Sequence, residues 1–484
     1  MSDAPLILGV SGLRGIVGES LTPEIAARFA AAFGAWLRDR LGGRDAVVAV
    51  SADGRRGYAS IYHAAIAGLA DRGHRVLPMG VATTPTTGVA VDAWGCDGAL
   101  VCTASHNPQA WNGLKALLAG PGGSSAPPAA HAETLIQRFN RGPDAWTDDA
   151  AGGGTVEPEQ NTAPALHADR VAAALADRVE AGRLRIVVDS VNASGAGVTH
   201  RLADRLGVRC VQLHGSGSGV FPHPPEPTME NLSGAAGLCD AVTGLAAHAG
   251  FAQDPDADRL AIVDEHGRYI GEEYTLALAA ESVLSRLGAD AAEAVLVANL
   301  STSRLIDDVA ARHGARVVRT PVGEANVVER MKQLAAEGHR VVLGGEGNGG
   351  VIWPEITSVR DSLSAMGLLL ALLSETAMTV GALVDRINAC GPGGAGYAIV
   401  KRKAPLARKQ DATPALEALA DRYAGERIDR QDGVRIDFTG ARDGAWVHVR
   451  PSNTEPILRL ICEAPHATTA GAILDEIAGL VDAG

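Results

Sequence analysis

The chain has 484 residues, 46% hydrophobic and 20% charged, a balance that excludes wholesale disorder. At about 150 residues per domain it predicts about three domains, with room for a fourth. Its 43 basic and 56 acidic side chains leave a formal charge of −13, which argues against a nucleic-acid partner but leaves room for a local basic pocket for a small anion.

The N-terminus, MSDAPLILGVSG, shows no basic segment before its short apolar run, and so no signal peptide. Thr22-Pro23 predicts a helix cap, with Ile25, Phe29, Phe33, Trp36 and Leu37 following at helical spacing. Next come a strand at Val47–Val50, a helix at Tyr58–Ala70, a short strand around Val76 and a strand at Ala99–Thr103 that runs into SHNP. An Asn112-Gly113 turn precedes a strand at Leu114–Leu118, and loop or linker is expected over Gly120–Ala130 and Asp148–Gly154. The alternation then restarts with strand Leu184–Val188, a helix from Gly197 and strand Arg259–Val263. It restarts again with helix Glu273–Leu287, strand Ala294–Asn299, helix Ser303–His313, strand Arg316–Val318, helix Ala325–Ala336 and strand Val341–Gly344. Such alternation predicts α/β layers with largely parallel sheets, in blocks of similar size but without a residue-level repeat. Met366–Leu373 is too short to span a membrane before Glu375 interrupts it. Beyond a glycine-rich hinge at Gly391–Gly394, strands Arg435–Phe438, Trp446–Arg450 and Ile457–Cys462 and a helix from Thr468 predict a smaller α+β domain. The six scattered cysteines contain no CxxC, which points away from a disulfide framework or a zinc site. A soluble, cytoplasmic protein with no membrane partner is expected.

Four motifs could carry chemistry. In DPDAD (Asp254 to Asp258), three carboxylates at alternate positions can converge on one hard cation, Mg²⁺ or Ca²⁺; a solvated acidic turn is the bland alternative. An EF-hand is excluded because Arg259 stands where the loop needs glycine and an apolar strand follows. In TASHNP (Thr103 to Pro108) no GxSxG surrounds Ser105, which excludes an elbow-type hydrolase nucleophile; the functional reading is a serine that accepts a phosphoryl group, and alone the segment is more often just a turn. A phosphoserine beside three aspartates needs a cation between them, so the two motifs explain each other only jointly. RPSNTEP (Arg450 to Pro456) offers the donors a phosphate wants, or merely a polar hairpin. GEGNGG (Gly345 to Gly350) fits GxGxxG, but VIWPEI follows where a dinucleotide site needs a helix. Lys115, one of only five lysines, and Arg14 in SGLRG are further candidates.

Taken in order, SGLRG, TASHNP, DPDADR, GEGNGG and RPSNTEP resemble the α-D-phosphohexomutases, which include phosphoglucomutase/phosphomannomutase and phosphoglucosamine mutase; the resemblance covers essentially the whole chain. It implies four domains around a central cleft. Three related α/β mixed-sheet domains would occupy 1–155, 156–268 and 269–388, with a C-terminal α+β domain at 389–484. It implies interconversion of hexose 1- and 6-phosphates through a phosphoserine at Ser105 and a bisphosphorylated sugar. Asp254, Asp256 and Asp258, with Ser105, would hold Mg²⁺, and Arg259 would support their loop. Glu346 and Asn348 would bind sugar hydroxyls, while Arg450, Ser452, Asn453 and Thr454 would hold the phosphate not being transferred. Arg14, His106 and Lys115 match positions near the reacting groups. The implied partners are small sugar phosphates, with hexose 1,6-bisphosphate as the activator that primes Ser105.

Two departures stand out. Pro255 replaces a common glycine and stiffens the metal loop, and Gly350 replaces the histidine of members with a GExSGH loop. The GEGNGG form tilts the substrate toward phosphoglucosamine or phosphomannose. The rival readings are a Mg²⁺-dependent phosphatase with Asp254 as nucleophile, and an inactive sugar-phosphate-binding protein.

Overall fold

The computed structural model describes residues 4–142, 153–234, 237–391, 394, 396–452 and 456–482. The chain forms three α/β layers and a C-terminal antiparallel sheet packed with helices. The first sheet has seven strands, in the order Ile7–Gly9, Gly12–Ile16, Trp111–Leu118, Gly98–Cys102, Val47–Ala52, Arg75–Val81, Thr155–Val156. The second runs Leu260–Val263, Ala249–Gln253, Arg185–Asp189, Arg209–Leu213; the third runs Arg316–Thr320, Ala294–Asn299, Arg340–Glu346, Gly350–Ile352.

The repeat invisible in residues is plain in topology. Each of these sheets has neighbouring parallel strands at its centre, and an inner strand turns back into an antiparallel neighbour. The three turns are TASHNP between Cys102 and Trp111, DPDAD between Gln253 and Leu260, and GEGNGG between Glu346 and Gly350. RPSNTEP likewise joins the antiparallel strands Trp446–Pro451 and Ile457–Ala464. The sheets are therefore mixed, with the antiparallel hairpin of each carrying a motif.

Thr22 caps helix Pro23–Arg40 by accepting from the amide of Ile25. The expected Asn112-Gly113 turn is corrected: both residues lie inside strand Trp111–Leu118, and the chain reverses upstream of them. Glycine is needed at 113 because a Cβ there would stand 2.2 Å from the Leu13 carbonyl oxygen of the adjacent strand. The loop expected over Gly120–Ala130 gives way at its end to helix Ala129–Arg141. Most of the second linker, and residues 392–393 of the expected hinge, lie outside the described residues.

One continuous apolar core runs through the second and third sheets. It includes helices Glu273–Leu287 and Ser362–Thr376, whereas the first sheet and the C-terminal sheet have separate cores. Polar contacts attach the C-terminal layer to the third: Ser301 Oγ to His448 Nδ1 at 2.8 Å, the Arg304 amide to Glu463 at 2.9 Å and the Val322 amide to Asp432 at 3.1 Å. Among the described residues, no single helix is long and apolar enough to cross a membrane.

Candidate active site

Ser105 sits in the turn beyond strand Gly98–Cys102 with φ 49°, a left-handed conformation uncommon outside glycine. Its backbone is held from three directions. Its amide donates to Thr103 Oγ1 at 2.8 Å, and that hydroxyl donates to Asp53 at 2.7 Å. The buried Arg55 pairs with Asp53 at 2.8 Å and donates to the Ser105 carbonyl. The strain thus rests on a buried ion pair, and it aims the hydroxyl away from the first sheet.

That hydroxyl meets the second sheet's turn, where Ser105 Oγ donates to Asp254 Oδ2 at 2.9 Å. Asp254, Asp256 and Asp258 are buried, and they present carboxylate oxygens within 4.8 Å of one another. Ala257, with φ 52°, lets the turn fold back so that Asp254 Oδ1 accepts from the amides of Asp258 and Arg259 at 3.1 Å each. Thr84 donates to Asp256 Oδ2 at 2.6 Å. Among the described residues, Asp256 Oδ1 and Asp258 Oδ1 are buried with no hydrogen-bond partner. Unpartnered carboxylate oxygens in the interior are costly, and a compact all-oxygen set is what a hard divalent cation requires. The residues fit Mg²⁺.

Charge is balanced on the Asp258 side of the triad. Lys115 Nζ donates to Asp258 and to Glu324, both at 3.1 Å. Arg360 donates to Asp258, reaches Glu346 at 2.7 Å and lies against Glu324. Burial opposes ionisation of Asp258, but Arg360, Lys115 and Arg259 hold its carboxyl below the usual range. Burial, together with Asp258 and Asp256, pushes Asp254 well up. Burial also works against the Lys115 ammonium, yet Glu324 and Asp258 outweigh it and raise its pKa. His106 Nδ1 lies 3.3 Å from Ser105 Oγ; burial, with Arg259 and Arg14 nearby, lowers that imidazole to about 3. Arg14 donates to Asn107 Oδ1 at 3.0 Å, beside the serine loop.

Glu346 is buried at the start of the third sheet's turn. It accepts from Asn299 at 2.8 Å and from the Gly323 amide at 3.1 Å, besides Arg360. Its oxygens are already engaged, while Asn348 is only partly buried. Arg450 pairs with Asp432 at 3.1 Å, and Ser452 is buried. Asn453 and Thr454 lie outside the described residues.

Domain models of phosphoglucomutase/phosphomannomutase match the chain four times. The alpha/beta/alpha domains I, II and III match residues 5–144, 165–267 and 272–390, and the C-terminal domain matches 400–480. The chain belongs to the phosphoglucomutase/phosphomannomutase family. A phosphoglucomutase/phosphomannomutase of Thermococcus kodakarensis is 33% identical over 97% of each chain. A protein named probable phosphoglucosamine mutase in Methanopyrus kandleri is 34% identical over 98% of this chain and 97% of its own. The fold matches a solved phosphoglucomutase/phosphomannomutase family protein of Burkholderia thailandensis with TM-score 0.77, at 24% identity over 99% and 98% of the two chains.

Within this phosphohexomutase fold, sequence reasoning missed Arg360, Glu324 and the Asp53–Arg55 pair. Glu324 opens helix Glu324–Ala336 and reads locally as an ordinary first-turn acid. Arg360 precedes Asp361, whose carboxylate caps helix Ser362–Thr376 through the Leu363 and Ser364 amides. Its only sequence signal is an arginine inside a stretch otherwise destined for the core.

Proposed function

We propose that this family member interconverts a hexose 1-phosphate and its 6-phosphate through a phosphorylated Ser105. The observation that carries the reading is the contact between Ser105 Oγ and Asp254 at the edge of a buried triad with two unpartnered oxygens. In the forward step the bond between phosphorus and Ser105 Oγ breaks, and one forms to a sugar hydroxyl oxygen. The hydroxyl proton passes to His106, whose imidazole burial and the neighbouring arginines keep neutral. The bisphosphorylated sugar then turns over and returns its other phosphoryl group to Ser105. Such transfer asks chiefly for alignment and charge neutralisation.

Asp254, Asp256 and Asp258 would hold Mg²⁺, which when bound would neutralise negative charge at the phosphoserine. Arg259 supports their loop through its amide on Asp254. Lys115 and Arg14 supply fixed positive charge beside the serine loop. Asn348 and Glu346 bind sugar hydroxyls, Glu346 by sharing oxygens already held by Arg360. Arg450, Ser452, Asn453 and Thr454 hold the distal phosphate. Hexose 1,6-bisphosphate primes the serine.

The 34% identity to a protein named probable phosphoglucosamine mutase supports glucosamine phosphate as substrate, the GEGNGG turn fits glucosamine or mannose phosphate alike, and the 33% identity to a phosphoglucomutase/phosphomannomutase keeps mannose and glucose phosphates as the second reading. The test is a coupled mutase assay with each 1-phosphate, Mg²⁺ and the matching 1,6-bisphosphate. The largest kcat/KM assigns the substrate, and Ser105→Ala should abolish turnover of all three. Activity of Ser105→Ala near wild type would rule the phosphoserine out.

A further inference from the structure

A second cluster of ligand-type side chains lies outside the triad. Asp189 ends strand Arg185–Asp189, and His214 and His223 belong to the loop after strand Arg209–Leu213. His214 Nδ1 and His223 Nε2 both point at one oxygen, Asp189 Oδ2, at 2.9 Å each. The three ligand atoms lie within 4.8 Å of one another. The other nitrogen of His223 faces the Pro224 carbonyl at 2.8 Å, the kind of outer hydrogen bond that orients a metal-bound imidazole. The other oxygen of Asp189 accepts from the Val191 amide at 2.9 Å, which fixes the carboxylate.

The backbone here is strained. Val191, Asn192 and His214 all have positive φ (47°, 56° and 45°), and for a β-branched valine that conformation is an outlier. The Val191 amide on Asp189 and the Asn192 amide on the His214 carbonyl hold it, so its geometry depends on the Asp189 and His214 positions. The two imidazole side chains are 30% and 21% exposed, so an ion can enter and keep an open position.

We propose that Asp189, His214 and His223 form a second cation site, for a borderline ion of the Zn²⁺ class, that straps their loop onto the end of the second sheet. Two imidazole nitrogens and one carboxylate oxygen are a zinc-type set and a poor one for Mg²⁺, which prefers oxygen. The cysteine pattern does not bear on it, because the ligands are histidines. On binding, the ion takes the place of the imidazole protons now directed at Asp189: His223 releases its Nε2 proton to solvent and keeps the Nδ1 proton that faces Pro224, while the His214 Nδ1 proton is exchanged through solvent for one on Nε2.

The strap reaches the serine loop. Gln109 Nε2 donates to the Gly219 carbonyl at 3.0 Å, and the Phe221 amide donates to Gln109 Oε1 at 2.8 Å. The Arg56 amide also donates to Gly219 O at 2.8 Å, and Phe221 lies under Arg55, which holds the Ser105 carbonyl.

The experiment is equilibrium dialysis of the full chain against Zn²⁺ in excess Mg²⁺, with elemental analysis. One Zn²⁺ per chain should be retained, and it should persist in Asp254→Asn, which alters the triad. In His223→Ala and His214→Ala the affinity should fall by more than about 10²-fold, since loss of a mere outer-shell partner already costs about 10- to 100-fold. No retained Zn²⁺, or equal retention in the histidine variants, would overturn the proposal. Should those variants fail to fold, Co²⁺ added to the wild-type chain decides. Intense visible bands of a low-coordinate, nitrogen-ligated ion support the site, and the weak spectrum of aquated Co²⁺ refutes it.

Discussion

Ser105 Oγ and Asp254 Oδ2 stand 2.9 Å apart across 149 residues of chain, joining a strained turn of the first sheet to the turn of the second. A hydroxyl facing a carboxylate is a comfortable pair; a phosphate ester facing it is not. The contact is that of a free serine hydroxyl, and under the proposed mechanism phosphorylation and divalent-ion binding become mutually dependent.

That dependence can be separated at Asp256. It is buried between two like charges, and burial and Asp258 together raise its pKa. Asp256→Asn should stabilise the metal-free protein, by on the order of 1 kcal/mol. It should also abolish the rise in Tm on adding Mg²⁺ and lower kcat/KM by about 10²-fold or more. Differential scanning calorimetry with and without Mg²⁺, beside the mutase assay, checks both halves. A lower Tm in the metal-free variant would contradict the picture of an overcharged site.

Lys115 is the next point of leverage, because it is buried between Asp258 and Glu324. Lys115→Met removes one of the two cations that face Asp258 and Glu324, leaving Arg360, and should cost about 3 kcal/mol of stability along with most activity. Glu324→Gln should be milder in stability and selective in kinetics, lowering kcat more than it raises KM, because it frees the ammonium while leaving Asp258 paired with Arg360. Equal effects on KM alone would remove Glu324 from the site's machinery.

The attachment of the C-terminal layer should depend on pH through His448. It is buried, accepting from Ser301 Oγ at 2.8 Å and donating to the Asp432 carbonyl at 2.6 Å, which is the neutral imidazole's pattern. Burial lowers its pKa to about 4, below the unfolded value of 6.5. The unfolded chain thus takes up the proton first. The neutral form's contribution is fully present above pH 6.5 and is lost as pH falls toward about 4, on the order of 3 kcal/mol at most. Urea unfolding between pH 7 and 4 should show this slope in wild type and a shallower one in His448→Gln.

His167 ties three layers at once. Its Nδ1 meets Thr86 Oγ1 at 2.9 Å and its Nε2 meets Asp361 Oδ2 at 3.0 Å, all fully buried. His167→Ala should cost about 2–3 kcal/mol, because two buried partners lose their bonds. Far below its Tm, the variant should retain kcat/KM near wild type. Unchanged thermal stability would show that the bridge contributes nothing net.

What could be read from the chain followed from how local each signal was. Ser105 and the aspartates were legible because their motifs are contiguous and each is a single turn. Arg360 and Glu324 were not, because their roles exist only where three layers meet. Helix Thr84–Trp94 escaped because TPTTGVAVDAW is rich in threonine, glycine and valine, and its first two turns are buried on all sides, which erases periodicity. Strands Arg209–Leu213 and Ala249–Gln253 are short and poor in β-branched residues, and pairing rather than propensity holds them. The likeness among the three hairpins could be seen only in topology.

The most direct measurement is peptide mapping by mass spectrometry of the chain after a single exposure to hexose 1,6-bisphosphate and Mg²⁺, followed by a chase with unlabelled hexose 6-phosphate. One phosphoryl group should appear on the Ser105 peptide, be discharged to sugar at the catalytic rate and be absent from Ser105→Ala. A phosphoryl group found on Asp254, or on no residue while turnover continues, would contradict the phosphoserine mechanism.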